Sequence, residues 1–216
     1  MQQHLIVATR NAHKTREIQR ILGPDFTIRD LSEHPEIPET VECGKTLEKN
    51  AVLKATATSK ELSGFVIADD SGLEVDALGG APGIYSARYA GQNASDKHNI
   101  DKLLSELAQT SARQDQRSAR FRCVLALAES GQTIGVFEGV VAGTIVDLPR
   151  GRSGFGYDPI FLPKGLDQTF GELAPAEKDR LSHRARALEK LRPFLNSAAR
   201  SSKSNRDSYS GLGRQL

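Results

Sequence analysis

The spacing of apolar residues changes character part-way along the chain. In the first half, short apolar runs alternate with stretches whose apolar positions recur every three or four residues. Leu5 to Ala8 reads as a short buried strand. Ile18, Ile21 and Leu22 then share one helical face, which predicts a helix over His13 to Leu22, closed by Gly23-Pro24. Phe26 to Leu31 reads as a second strand, and Pro35 and Pro38 punctuate a loop that ends near Gly44. Thr46 to Leu62 is Ala-rich and helical, with Leu47, Ala51, Ala55 and Leu62 broadly on one side. Phe65 to Ala68 is a third apolar run, expected to end as a strand where Asp69 and Asp70 begin, with a Gly-rich loop to about Asn93. Asp96 to Ala108 is expected to be a helix with Ser95 as its cap.

The period then drops to two. Phe121, Cys123, Leu125 and Leu127 alternate with other residues, Ser130-Gly131 marks a turn, and TIGVFEGVVAGTIV returns, which predicts a β-hairpin. A Gly-rich loop from Pro149 to Pro159 leads to a short strand, Ile160 to Leu162. A last helix is expected from Ser182, carrying Ala187, Leu188 and Leu191, with Pro193 ending or kinking it. Beyond Asn196 the chain is Ser-rich without apolar periodicity, so residues 197–216 are expected to be a disordered tail. Strand–helix alternation followed by a hairpin predicts one α/β domain, residues 1–196, built on a mixed sheet.

Charge sharpens this picture. The 216 residues carry a formal net charge of +2, and 38% are hydrophobic, enough for a sizeable core. The tail holds Arg200, Lys203, Arg206 and Arg214 against Asp207, a net +3, which leaves the body near −1. A near-neutral body argues against nucleic acid as a partner. Cys43 and Cys123 make neither a disulfide framework nor a metal cluster, which fits a reducing compartment. No apolar run approaches the ~20 residues that span a bilayer. The start, MQQHLIVATRN, lacks a signal peptide's basic region. The protein is therefore expected in the cytoplasm, away from membranes.

Four stretches carry candidate chemistry. In ATRNAHK, Thr9, Asn11 and Lys14 stand where a strand turns into a helix, a place where free N–H groups and a cation can hold an anion. Simple N-capping by Thr9 or Asn11 explains the same residues. Asp69 and Asp70 sit side by side and repel, so a proton, a counterion or solvent must relieve them. A hard divalent cation would do so, with Glu42 as a third carboxylate; an exposed turn is the plainer account. In PRGRSGFGYDPIF, glycines permit close backbone approach, and Phe155 and Tyr157 offer faces on which a base can stack. In EKDRLSHRARAL, His183 and Arg184 fall in a first helical turn, where positive charge opposes the helix dipole and suggests a nearby anionic or polar ligand.

Together, ATRNAHKTRE, KNAVLKA, ADDSGLEVDALGGAPGIYSARYAG, GFGYDPIF and EKDRLSHRARAL, in this order, resemble the inosine triphosphate pyrophosphatase family, also called dITP/XTP pyrophosphatases. The likeness runs from about Leu5 to Leu195. It implies a long central mixed sheet with a lobe on each side of a nucleotide cleft. It also implies Mg²⁺-dependent hydrolysis of ITP, dITP or XTP to the monophosphate and pyrophosphate by a homodimer. Carried onto this chain, Thr9, Arg10, Asn11, Ala12, His13 and Lys14 would hold the triphosphate, with Lys54 as a second cation. Glu42 and Asp70 would hold the metal, Asp70 would accept the proton, and Ser71 would contact substrate. Phe155, Gly156, Tyr157, Asp158, Lys178, His183 and Arg184 would hold base and sugar. Lys49 departs from the family, which often has Glu there. A non-catalytic nucleotide-binding module is the competing reading, against which the retained acids speak.

Overall fold

The computed structural model describes residues 3–110, 113 and 116–210, with side chains described as far as Ser197. A six-stranded sheet of order β2-β1-β3-β4-β5-β6 runs through it. The strands are β1 (Gln3–Val7), β2 (Phe26–Asp30), β3 (Val66–Val75), β4 (Ser118–Glu129), β5 (Gln132–Ile145) and β6 (Phe161–Pro163). β1 pairs parallel with β2 and β3, and every later pairing is antiparallel, so the sheet is mixed as expected. The helices are α1 (Ala12–Leu22), α2 (Leu47–Glu61), α3 (Asp96–Gln109), α4 (Pro175–Leu181) and α5 (His183–Ser210). None of the described helices is long and apolar enough to cross a membrane.

Local chemistry sets the helix starts. Asn11 caps α1 by accepting from the His13 and Lys14 amides at 2.9 and 3.3 Å. Thr46 caps α2, and Ser95 caps α3 as the sequence predicts. Ser182 Oγ accepts from Ala185 N at 3.1 Å at the start of α5. Two expectations need correction at the C-terminal end. α4, a seven-residue helix begun by Pro175, lay unread in the sequence. α5 does not stop at Pro193 but runs to Ser210; the proline forfeits one helix hydrogen bond and crowds the carbonyl four residues back, and packing of Leu191 and Leu195 in the core holds the helix through it. The expected disorder beyond Asn196 falls almost wholly on residues whose side chains lie outside the described set.

β3 also departs from expectation. It does not end at the paired aspartates but continues for ten residues, with Asp69 and Asp70 opposite Leu125 and Val124 of β4. Side chains alternate across a strand, so the two carboxylates leave on opposite faces and each meets its own cation. On one face, Ile67 joins Leu5, Ile18, Leu125 and Leu191 in a core under α1 and α5. On the other, Val66 and Ala68 pack with Ala51, Ala55 and Ala126 under α2. A third core at the far end joins Leu73, Leu103, Leu107, Phe121, Phe161 and Phe170 around α3.

Close approach of α5 to the sheet needs a glycine. A Cβ on Gly139 of β5 would lie 2.0 Å from His183 O and 2.5 Å from Ala187 N. The absent side chain lets the first turn of α5 lie on β5 and delivers His183 and Arg184 to the middle of the sheet.

Candidate active site

The turn from β1 into α1 forms one end of a cleft. Thr9, Arg10, Asn11 and Lys14 line a cavity of about 570 Å³ together with Glu42, Lys54 and Arg88. Asn11, Lys14 and Ala87 also line a second cavity of about 270 Å³, whose walls include Ser71, Phe121, Phe155 to Asp158, Lys178, His183 and Arg184. The two cavities are thus the two ends of a continuous cleft, one rich in cations, the other apolar with a few buried polar groups.

At the cationic end, Lys14 Nζ lies 2.6 Å from Asp69 Oδ1. Lys54 Nζ lies 2.8 Å from both Asp70 Oδ1 and Glu42 Oε1. Both ammonium groups also donate to the Asp69 carbonyl, at 3.2 and 3.0 Å, so they converge on one point of β3. Burial raises the Asp70 carboxyl above the usual aspartate range despite Lys54. Burial pushes Asp69 the same way, but the Arg184 guanidinium and the Lys14 ammonium hold it well below that range. Burial also works to raise Glu42; Lys54 and Arg88 outweigh it and hold the carboxyl down.

No group of three His, Cys, Asp or Glu side chains gathers around one point among the described residues. Glu42 and Asp70 do meet at one cation, the Lys54 ammonium. Arg88 holds the other oxygen of Glu42, so two cations balance the pair; as hard oxygen donors the two carboxylates are of the kind and number that hold Mg²⁺ together with substrate phosphates and water.

At the other end, charges alternate in a buried chain. Arg184 Nε donates to Asp69 Oδ2 at 2.8 Å, and its Nη1 donates to Glu17. Lys178 Nζ donates to Glu17 Oε1 at 2.6 Å and to Asp158 Oδ2 at 2.5 Å. Burial would raise Glu17, but Arg184 and Lys178 hold it below its ordinary value. Burial wins at Asp158, which is raised. The ring of Phe155 has Lys178 Nζ 4.9 Å from its centroid, and His183 stacks on Phe121 at 4.7 Å. Burial, and then Arg184 and Lys178, keep His183 far below the usual imidazole pKa and hence neutral. Its Nδ1 is buried in the cavity wall without a hydrogen-bond partner.

Some expected residues stand elsewhere. Ala12 begins α1, and neither it nor His13 lines the cationic cavity. The His13 ring instead stacks behind Phe155, with centroids 5.3 Å apart. Arg10 reaches the cavity wall, yet its Nη2 donates to Ile37 O at 2.5 Å and so braces the loop before α2. Lys49 is exposed on the first turn of α2. Ser71 lines the base-side cavity, and its hydroxyl donates to Asp69 Oδ1 at 2.9 Å.

Sequence reasoning missed Glu17, Arg88 and Asn50. Glu17 is legible afterwards as a carboxylate inside the apolar stripe of Ile18, Ile21 and Leu22, where only a buried ion pair keeps it. Arg88 donates to Glu42 Oε2 at 3.2 Å, and buried Asn50 donates to Asp70 Oδ2 at 3.3 Å. Neither has a signal in local periodicity, because the contacts cross from one element to another.

A family model described as the Ham1 family matches residues 5–194. The chain belongs to the Ham1 family. Similar Ham1 relatives include proteins named dITP/XTP pyrophosphatase from Bacillus licheniformis, 50% identical over 90% of this chain and 98% of that one, and from Bacillus subtilis, 49% identical over 88% and 96%. Among solved structures, the Ham1 protein of Staphylococcus aureus is 44% identical with a TM-score of 0.78, covering 91% of this chain and all of that one. A HAM1 protein from Coxiella burnetii is 39% identical with a TM-score of 0.80, covering 90% and 99%. The family resemblance and the α/β fold read from the sequence both stand.

Proposed function

We propose that the cleft binds a deaminated purine nucleoside triphosphate, ITP, dITP or XTP, and hydrolyses it to the monophosphate and pyrophosphate. The enzyme class rests on kinship: the Ham1 relatives share the name dITP/XTP pyrophosphatase at about half identity over nearly their whole length, and this chain is a nucleotide pyrophosphatase of that family. The observation that carries the finer reading is the polarity of the cleft. Lys14, Lys54 and Arg88 face one end, and Phe155, His183 and Arg184 line the other, with Lys14 and Asn11 at the junction.

In this reading the triphosphate lies along the cations. Glu42 and Asp70 would hold a Mg²⁺ ion, which when bound would acidify water and offset phosphate charge. Asp70, its carboxyl raised by burial, accepts the proton of the attacking water. Lys14 and Lys54 stabilise charge on the departing pyrophosphate. At the base end, donors such as His183, Arg184 or a backbone N–H pair with the oxygen at C6 that hypoxanthine and xanthine carry. Adenine has an amino group there and leaves such a donor unpaired, a mismatch that a hydrogen-bonding site can reject by ~10⁴-fold.

The deciding experiment is pyrophosphate release from ITP, dITP, XTP, ATP and GTP, with Mg²⁺ and with EDTA. Metal-dependent release from the first three, far faster than from ATP or GTP, is expected. Comparable rates on all five would overturn the specificity, and undiminished rates in EDTA would overturn the metal. We also infer a homodimer in the cytoplasm, from the family resemblance. Light scattering at the mass of one chain would overturn it.

A further inference from the structure

One contact at the rim of the base-side cavity takes no part in the chemistry above. The Gly156 amide donates to Asp96 Oδ2 at 2.6 Å, across 60 positions of sequence. Both residues line the cavity. Asp96 is the first residue of α3, and Gly156 follows Phe155 in the Gly-rich loop.

The two sides of this contact differ in how firmly they are held. α3 is anchored by Leu103 and Leu107, both fully buried in the core with Leu73 and Phe121. Asn99 fixes the neighbouring segment through Ala90 N at 2.8 Å and Ala87 O at 3.2 Å. The loop, by contrast, has Gly154 and Gly156 at φ of +78° and +61°, conformations that cost glycine little and that leave the backbone freer than a side chain would. Phe155 hangs between these glycines. Behind the loop, Phe155 N donates to Asp158 Oδ2 at 2.8 Å, and Tyr157 Oη donates to Ser86 O at 2.9 Å. Those ties hold the residues on either side of Gly156, and the Phe155 ring also rests against His13 and Lys178; the Gly156 amide between them is held by Asp96.

We propose that Asp96 is a positioning residue: its carboxylate latches the Gly156 amide and thereby holds Phe155 as a preformed wall of the nucleobase cavity. It acts on binding through Phe155 and touches neither phosphate nor attacking water. A wall already in place spares the ligand the cost of ordering it. Losing the latch therefore weakens nucleotide capture and leaves the chemical step as it was. This functional half rests on the pyrophosphatase reading; the latch itself does not.

Two variants separate the latch from its surroundings. Asp96→Ala removes the acceptor and the charge at the start of α3. Asp96→Asn removes the charge and keeps an acceptor oxygen. The first readout is amide hydrogen exchange of the loop around Gly156 in nucleotide-free protein, which needs no substrate. Asp96→Ala is expected to speed exchange about tenfold, the loss of one hydrogen bond to a charged group, with Asn, which keeps a neutral acceptor, between Ala and wild type. The second readout is steady-state kinetics with ITP. Asp96→Ala is expected to raise KM about tenfold with kcat within twofold, again partly rescued by Asn. Unchanged exchange in Asp96→Ala overturns the latch. Faster exchange with unchanged KM, a fall in kcat alone, or equal defects in both variants overturns the positioning role. If wild-type protein hydrolyses none of the nucleotides, the reading above fails, and exchange still decides the latch.

Discussion

Asp70→Asn keeps the size of the side chain and an oxygen for Lys54 while removing the proton acceptor. Folding should be preserved, with kcat down by about 10²–10⁴-fold, the usual worth of a positioned general base; circular dichroism and pyrophosphate release check the two halves. His183 gives a pH signature in stability. Its folded pKa lies far below the unfolded value, so the unfolded chain takes up a proton that the folded one refuses. Stability is therefore whole above about pH 6.5 and is lost as pH falls below it, by about 1.4 kcal/mol between pH 7.5 and 5.5. Urea titrations of wild type and His183→Gln at the two pH values test this: the variant should lack that loss. Asp70 and Glu42 were legible as candidate chemistry in the sequence because paired charge at the end of an apolar run stands out, whereas Lys54 came only from the family resemblance. Glu17 was not legible, since its partners Lys178 and Arg184 stand more than 150 positions away.

Elements were legible where one face is polar and failed where none is. α1 and α3 show a clean stripe, and their bounds fall within a residue of expectation. β3 was cut short because two charges in a strand look like its end, whereas half-buried cations on both sheet faces make them part of its middle. Seven-residue α4 has too few turns to show a period. The contact of α5 with β5 is the most exacting in the fold, since Gly139 leaves no room for a Cβ. Gly139→Ala must push back the first turn of α5. Overpacking of this kind costs about 1–3 kcal/mol, and because His183 and Arg184 ride on that turn, KM for ITP should rise as well. A thermal melt and a substrate titration measure both; an unchanged KM would show that the turn adapts without moving its side chains.

At the scale of the molecule, the mixed α/β sheet followed from the change of period, while the meeting of four distant stretches in one cleft did not. Spacing along a chain carries no information about which strand ends lie together; that came from the family resemblance and is visible in the shared lining of the two cavities. Removing residues 197–216 retains Leu191 and Leu195 of the core and the Phe137–Phe194 contact at 4.9 Å. The shortened protein should keep wild-type kcat/KM and a melting temperature within a few degrees; a large loss of either would give the tail a role.

The buried line Lys14–Asp69–Arg184–Glu17–Lys178–Asp158 alternates in sign from the phosphate end of the cleft to the base loop. Seen from outside, such a line is nearly dark: each charge is cancelled by its neighbour within a few ångströms, and little field reaches beyond the ~8 Å over which physiological salt screens. The line itself therefore does little to draw a nucleotide in from a distance. Any dependence of nucleotide capture on ionic strength should trace to the cations off this line at the phosphate end, Arg10, Lys54 and Arg88.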